Sequence, residues 1–214
     1  MEGKPAVNRK NSRESGKQSR IGRICRETST IALARSPQQL RAAFLRWSLV
    51  TVPAVVALGF LSSLVSGSTA DNPWFQALVK PDIYPPPQTF GIVWTVLYVM
   101  MGLALAMLAT ANGARGRGLA IAVFLVQLVM NLAWSPLFFG QYRISAALYL
   151  LYALDVAVLL TVVLSARVRP LAGLLLAPYL VWVLFATVLN WQILQLNPGA
   201  DGPAAVAEGQ KIQL

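Results

Sequence analysis

The sequence has no histidine and a single cysteine, Cys25. Without histidine, the commonest general base, the usual haem axial ligand and most zinc sites are gone. One cysteine cannot make an intrachain disulfide, a CxxC pair or an iron–sulfur site. Charge is scarce as well: Asp, Glu, Lys and Arg make up 12% of the 214 residues, about half the ~25% of a typical soluble domain. So thin a charged complement cannot coat a water-facing surface. What charge there is lies mostly at one end. Eleven of the 18 Lys and Arg, from Lys4 to Arg46, fall in residues 1–46 with only Glu2, Glu14 and Glu27 beside them. The isoelectric point near 10.4 therefore belongs to a tail, and no nucleic-acid partner is expected.

What is abundant is apolar: 56% of the residues, with a mean hydropathy of +0.57. Uncharged runs cover 47–70, 83–114, 118–142 and 170–200, and a further run, 144–166, is broken only by Asp155. Each suffices for the ~20 apolar residues that a membrane-crossing helix needs. Trimmed at Pro, Gly and polar punctuation, the spans fall at about 47–66, 89–111, 119–139, 144–166 and 171–195. Barrel strands would alternate and stop after ~10 residues. The expected fold is all-α, an integral membrane bundle of five transmembrane helices over 47–196. A basic, disordered tail (1–46) precedes it and a flexible tail (197–214) follows.

The first connection, 67–88, is the long one, and Pro73, Pro81, Pro85, Pro86 and Pro87 stiffen it. A loop of that length in a compact bundle is more often functional than idle. The head, Arg115, Arg117, Arg167 and Arg169 fall on one side of the membrane, and Lys80, Arg143 and Lys211 on the other. The positive-inside rule then places the N-terminus in the cytoplasm of a bacterial plasma membrane. The Arg- and Ser-rich head also has features of an organellar transit peptide. That keeps a mitochondrial outer membrane as the alternative, although a juxtamembrane tail drawn to anionic lipid is the simpler reading.

Six tryptophans are many for this length: Trp47, Trp74, Trp94, Trp134, Trp182 and Trp191. Trp47 and Trp191 suit an interfacial belt, whereas Trp94, Trp134 and Trp182 lie inside their spans. Helical spacing puts Phe90, Trp94 and Tyr98 on one face. Gln127, Asn131, Trp134, Ser135 and Phe138 share another, and Trp182, Ala186 and Asn190 a third. Amides at membrane depth must face the bundle interior, either to glue helices together or to serve a cavity. Their association with rings on three helices points to a ligand cavity, largely apolar with a few orienting polar groups. Asp155 reads either as a proton or cation site or as an acid bonded to neighbouring spans; with no base at its depth, the second is preferred. Pro53, Pro136 and Pro178 should bend their helices. Gly118 and Ala122 form a small-xxx-small pair suited to a helix or subunit contact.

Four stretches carry a resemblance to a known family. They are Trp74-Phe75-x-x-Leu78-x-Lys80-Pro81 with Pro85-Pro86, and Phe90-Gly91-x-x-Trp94-x-x-Leu97-Tyr98. Then come Gln127-x-x-x-Asn131-x-Ala133-Trp134-x-Pro136-x-Phe138-Phe139-Gly140 and Pro178-Tyr179-Leu180-x-Trp182-x-x-Phe185-Ala186-x-x-Leu189-Asn190. In this order and spacing, over about residues 45–196, the chain resembles the translocator protein family, or tryptophan-rich sensory proteins (peripheral-type benzodiazepine receptors), in its bacterial form. The resemblance implies a homodimeric five-helix bundle with a cavity beneath the first loop. It also implies ligands: tetrapyrroles such as protoporphyrin IX or haem, and other small hydrophobic molecules, with no cofactor required. Carried over by position, the ligand-binding residues are Trp74, Trp94, Tyr98, Asn131, Trp134, Trp182, Ala186 and Asn190, with no catalytic or metal site. Propionates would reach polar or basic groups on the loop side, such as Lys80. Where the family often carries aromatic residues in the loop, this chain has Ile83 and Gln88. Near the end of the last span Trp191 replaces the sterol-motif Tyr, and no base follows through Pro198. The expected function is sensing in porphyrin metabolism or stress response. A porphyrin transporter and a light-dependent porphyrin-degrading enzyme are the alternatives.

Overall fold

A computed structural model describes residues 37–68 and 72–202. The expectations for 1–36 and 203–214 lie outside the described residues. The chain separates into two units, Met1–Ala42 and Ala43–Leu214, and the second carries the bundle and the cavity. The described elements are α1 (Pro37–Ser66), α2 (Pro73–Ala77), α3 (Pro87–Thr110), α4 (Arg117–Ser135), α5 (Ile144–Val168) and α6 (Pro170–Leu196). A π-helical turn, Pro136–Gly140, extends α4. Among the described residues there is no strand, and five helices are long and apolar enough to cross a membrane. The chain is an integral, multi-pass membrane protein.

Proline opens the helices and rarely interrupts them. Pro37, Pro73, Pro87 and Pro170 are first residues, where the missing N–H has no intrahelical partner to lose and φ is already helical. Asn72 caps α2 by accepting the Phe75 N–H at 3.1 Å. Pro136 marks where α4 changes from α to π winding, with the Gln141 N–H reaching the Pro136 carbonyl at 2.9 Å. Pro53 and Pro178 lie within α1 and α6. The first helix starts at Pro37, ahead of the apolar run at Trp47, so part of the basic head is helical rather than tail.

The packing is uneven. α5 and α6 make the most extensive pair, α4 lies against α5, and α3 contacts α4, α5 and α6. Phe124, Met101, Leu154, Leu176 and Tyr179 fill the space between them. By contrast α1 buries only Thr51, Val55, Gly59 and Ser66, a single seam. It docks through close backbone contact: Thr51 Oγ1 donates to the Gly102 carbonyl at 2.7 Å, and Ser62 Oγ to the Leu132 carbonyl at 2.6 Å. A Cβ on Gly102 would lie 2.6 Å from the Val52 Cα, so only glycine permits this approach. The Gly118–Ala122 pair makes no such contact within the chain; both residues are exposed. A smaller cluster of Leu78, Phe138, Ile144 and Ile193 fastens α2 to the α4–α5 turn and the end of α6, with Trp74 and Phe75 packed on it.

Candidate functional site

One fact of membrane chemistry organises the interior. Amides and phenols at membrane depth need partners, and they find each other across helices. Tyr98 on α3 donates to Asn131 Oδ1 at 3.0 Å, and Tyr179 on α6 donates to Gln127 Oε1 at 2.8 Å. Asn190 Nδ2 donates to the Ile144 carbonyl at 3.0 Å. All three amides are buried, as their position in the spans requires. Asp155 is likewise tied to a neighbouring helix, since Thr187 Oγ1 lies 2.9 Å from its Oδ2.

Between the helices and the first loop lies a cavity of about 760 Å³, and Tyr98, Asn131 and Asn190 of these pairs line it. α1 contributes Gly59, Phe60 and Ser63; α3 contributes Phe90, Trp94 and Tyr98; α4 and its π turn contribute Asn131, Trp134, Ser135 and Phe138. α5 adds Leu151 and Leu154, and α6 adds Trp182, Ala186 and Asn190. The first loop supplies Phe75, Gln76, Lys80, Tyr84 and Pro85 as a further wall. The rings fall into two contact networks, Trp94 with Tyr98 and Tyr179 in one, and Trp134, Phe138, Phe75, Tyr84, Phe90 and Trp182 in the other. Trp94 stacks on Tyr98 at 5.3 Å, Trp134 on Phe138 at 5.0 Å, and Phe90 meets Trp182 edge-on at 5.7 Å. Such pairs fix ring orientation through their quadrupoles.

Seven of the eight expected residues therefore share one cavity. The exception is Trp74, which is not on its surface. It is wedged against Phe138 (5.4 Å) and Tyr142 (5.0 Å), supporting α2 from behind. Gln127 lies one turn deeper than Asn131 and is likewise off the lining, held by Tyr179. The residues that helical spacing did not reveal are those of α1, of α5 (Leu151 and Leu154) and of the loop. Gly59 and Ser63 are small, one turn apart on the buried seam, and that spacing was the available signal. The loop has no periodicity to read.

Several lining groups have polar atoms that the protein leaves unsatisfied. Nε1 of Trp134 and of Trp182, and Oδ1 of Asn190, are buried without a hydrogen-bond partner. Lys80 is the opposite case. Its ammonium donates to the carbonyls of Phe75 (2.8 Å), Leu78 (2.9 Å) and Gln76 (3.2 Å), and lies 4.8 Å from the Phe75 ring centroid. All three of its protons are engaged, so it lends positive potential to the mouth rather than a free donor. Partial burial lowers its pKa below the usual lysine value and raises that of the Tyr84 phenol. Among the described residues no group of three or more His, Cys, Asp or Glu is placed to hold a metal ion.

The TspO/MBR family model matches residues 50–196, from α1 to the last residue of α6. The chain belongs to the TspO/MBR family. Tryptophan-rich protein TspO of Chlorobaculum tepidum is 42% identical over 144 residues, covering 67% of this chain and 90% of that protein. Protein CrtK of Rhodobacter capsulatus is 35% identical, with 67% and 92% covered. The human Translocator protein is 34% identical, with 63% and 81% covered. The TspO/MBR match spans every element that lines the cavity, so the ring cluster lies wholly within the family region.

Proposed function

We propose that this TspO/MBR protein is a membrane receptor whose cavity takes tetrapyrroles such as protoporphyrin IX, and other small hydrophobic ligands, to regulate porphyrin metabolism or a stress response. One observation carries the reading: a ring-lined space whose buried Trp134 and Trp182 N–H groups and Asn190 oxygen have no partner in the protein. Buried donors left open cost about 1–3 kcal/mol each, and a ligand with acceptors at its edge would satisfy them. The cavity's 760 Å³ lies within the roughly 300–1,000 Å³ of small-molecule sites. A planar macrocycle would lie between Trp94 and Trp182, each ring contact adding about 0.5–1.5 kcal/mol beyond area burial. With no histidine in the chain, free-base porphyrin suits the site better than haem. The names of the relatives, sensory protein and translocator, are compatible with such a role.

The test is quenching of tryptophan fluorescence by protoporphyrin IX, in the dark, on protein in lipid nanodiscs, with uptake by empty discs subtracted. Saturable quenching that weakens in Trp94→Phe/Trp182→Phe supports the reading. Quenching indistinguishable from lipid partitioning removes the tetrapyrrole. Illuminating the same sample tests for photodegradation, and proteoliposome flux tests for transport. The reading includes a homodimer, which cross-linking in native membranes tests.

A further inference from the structure

The first loop is held by more than its own contacts. Val79 lies outside any helix with more than half its surface exposed, yet neither of its backbone groups is left to solvent. Its N–H donates to Asn197 Oδ1 at 2.8 Å, and its carbonyl accepts from Asn197 Nδ2 at 2.9 Å. Of the side chains, only an amide offers a donor and an acceptor spaced like a peptide group, so it can pair with both groups of one residue. Asn197 is the residue on which α6 ends, and its Nδ2 also donates to the Ile193 carbonyl at 2.8 Å. The amide is thus anchored to the bundle while it grips the loop.

The segment that follows makes a second attachment. Ala200 N–H bonds back to the Asn197 carbonyl at 3.1 Å, and Gly202 N–H reaches the Tyr142 carbonyl at 2.8 Å. Asp201 Oδ1 accepts the Ser145 N–H at 3.2 Å, in the first turn of α5. Tyr142 is also the ring on which Trp74 of α2 rests. Residues 197–202 therefore run between the first loop, which walls the cavity, and the α4–α5 connection, and bond to both.

We propose that residues 197–202 form a strap that keeps the first loop down on the cavity, with the Asn197 side-chain amide as its buckle at Val79. Phe75, Gln76, Lys80 and Tyr84 ride on this loop, so releasing Val79 opens the wall they form and speeds exchange between cavity and water. The proposal rests on the reading of the cavity as a ligand site, and two of its three tests need no ligand. Asn197 acts here as a positioning residue.

The tests use the full chain in nanodiscs, comparing wild type with Asn197→Ala and with Asn197→Asp. The aspartate is isosteric but lacks the donor and sets its oxygen against the Val79 carbonyl. Backbone exchange at Val79 reports the buckle directly: slow in wild type and about ten- to a hundredfold faster in both variants, while α5 and α6 amides stay protected. Access is read in a Cys25→Ser/Ser135→Cys background, since Ser135 lines the cavity. A water-soluble maleimide should label it at least several-fold faster when Asn197 is changed. Protoporphyrin IX should then dissociate faster by a similar factor. An unprotected Val79 amide in wild type, or labelling unaffected by both variants, would overturn the strap. Absence of saturable porphyrin binding in wild type would instead remove the ligand reading, leaving exchange and labelling to decide the strap alone.

Discussion

Gly59 sets how closely α1 approaches α3, because a Cβ there would fall within the Tyr98 ring. The ring can escape only by swinging away from its bond to Asn131. Gly59→Ala should therefore cost about 1–3 kcal/mol of stability by overpacking, read as a lowered melting temperature in nanodiscs. Tyr98→Phe removes the same bond without the clash, leaving Asn131 Oδ1 unpaired, for about 1–3 kcal/mol. The two changes should be non-additive in the double variant, since each breaks one shared contact. Strict additivity would show that Tyr98 does not move. Trp182→Phe is different in kind. Its N–H bonds nothing in the protein, so stability should change by less than about 1 kcal/mol while porphyrin quenching weakens.

At the scale of elements, α2 depends on a side chain outside it. Lys80 closes the carbonyl end of the helix with three bonds, the end where positive charge suits the helix dipole. Lys80→Met keeps the apolar stem over Phe75 and deletes the donors. Amide exchange in Phe75–Leu78 should accelerate about tenfold, the equivalent of one net hydrogen bond, with α3–α6 unchanged. An unchanged α2 would mean that Phe75 and Trp74 alone hold it. The elements also show what a sequence can and cannot disclose. Long helices were legible because a bilayer forces apolar runs of fixed length. The start of α1 was not, because Pro37–Arg46 is helical by Leu, Ala, Arg and Gln propensity without being apolar. Pro136 read as a bend, and it is the first residue of a π turn, a winding that the i, i+4 pattern does not announce. Faces on α3, α4 and α6 could be read from i, i+4 spacing. Trp74 could not be placed, since which way a loop ring turns depends on what it packs against.

At the scale of the whole molecule, the five apolar helices among the described residues predict opposite sides of the membrane for the segments before α1 and after α6, and the positive-inside rule predicts a cytoplasmic basic head. Cys25 is the only cysteine, so the test needs no background removed. In bacterial spheroplasts an impermeant maleimide should label Cys25 only after permeabilisation, and a cysteine appended after Leu214 without it. The reverse pattern would invert the assignment.

The single seam of α1 has a consequence for how the protein is made. A ribosome produces this span first, and its docking surfaces, the Gly102 backbone and the Leu132 carbonyl, belong to helices synthesised later. Until then it must reside in lipid unaccompanied, and its mean hydropathy of 2.1 suits it to that wait. Both surfaces lie on α3 and α4, so the α1 wall of the cavity can close as soon as α4 has entered the bilayer, before the α5 and α6 walls have been made.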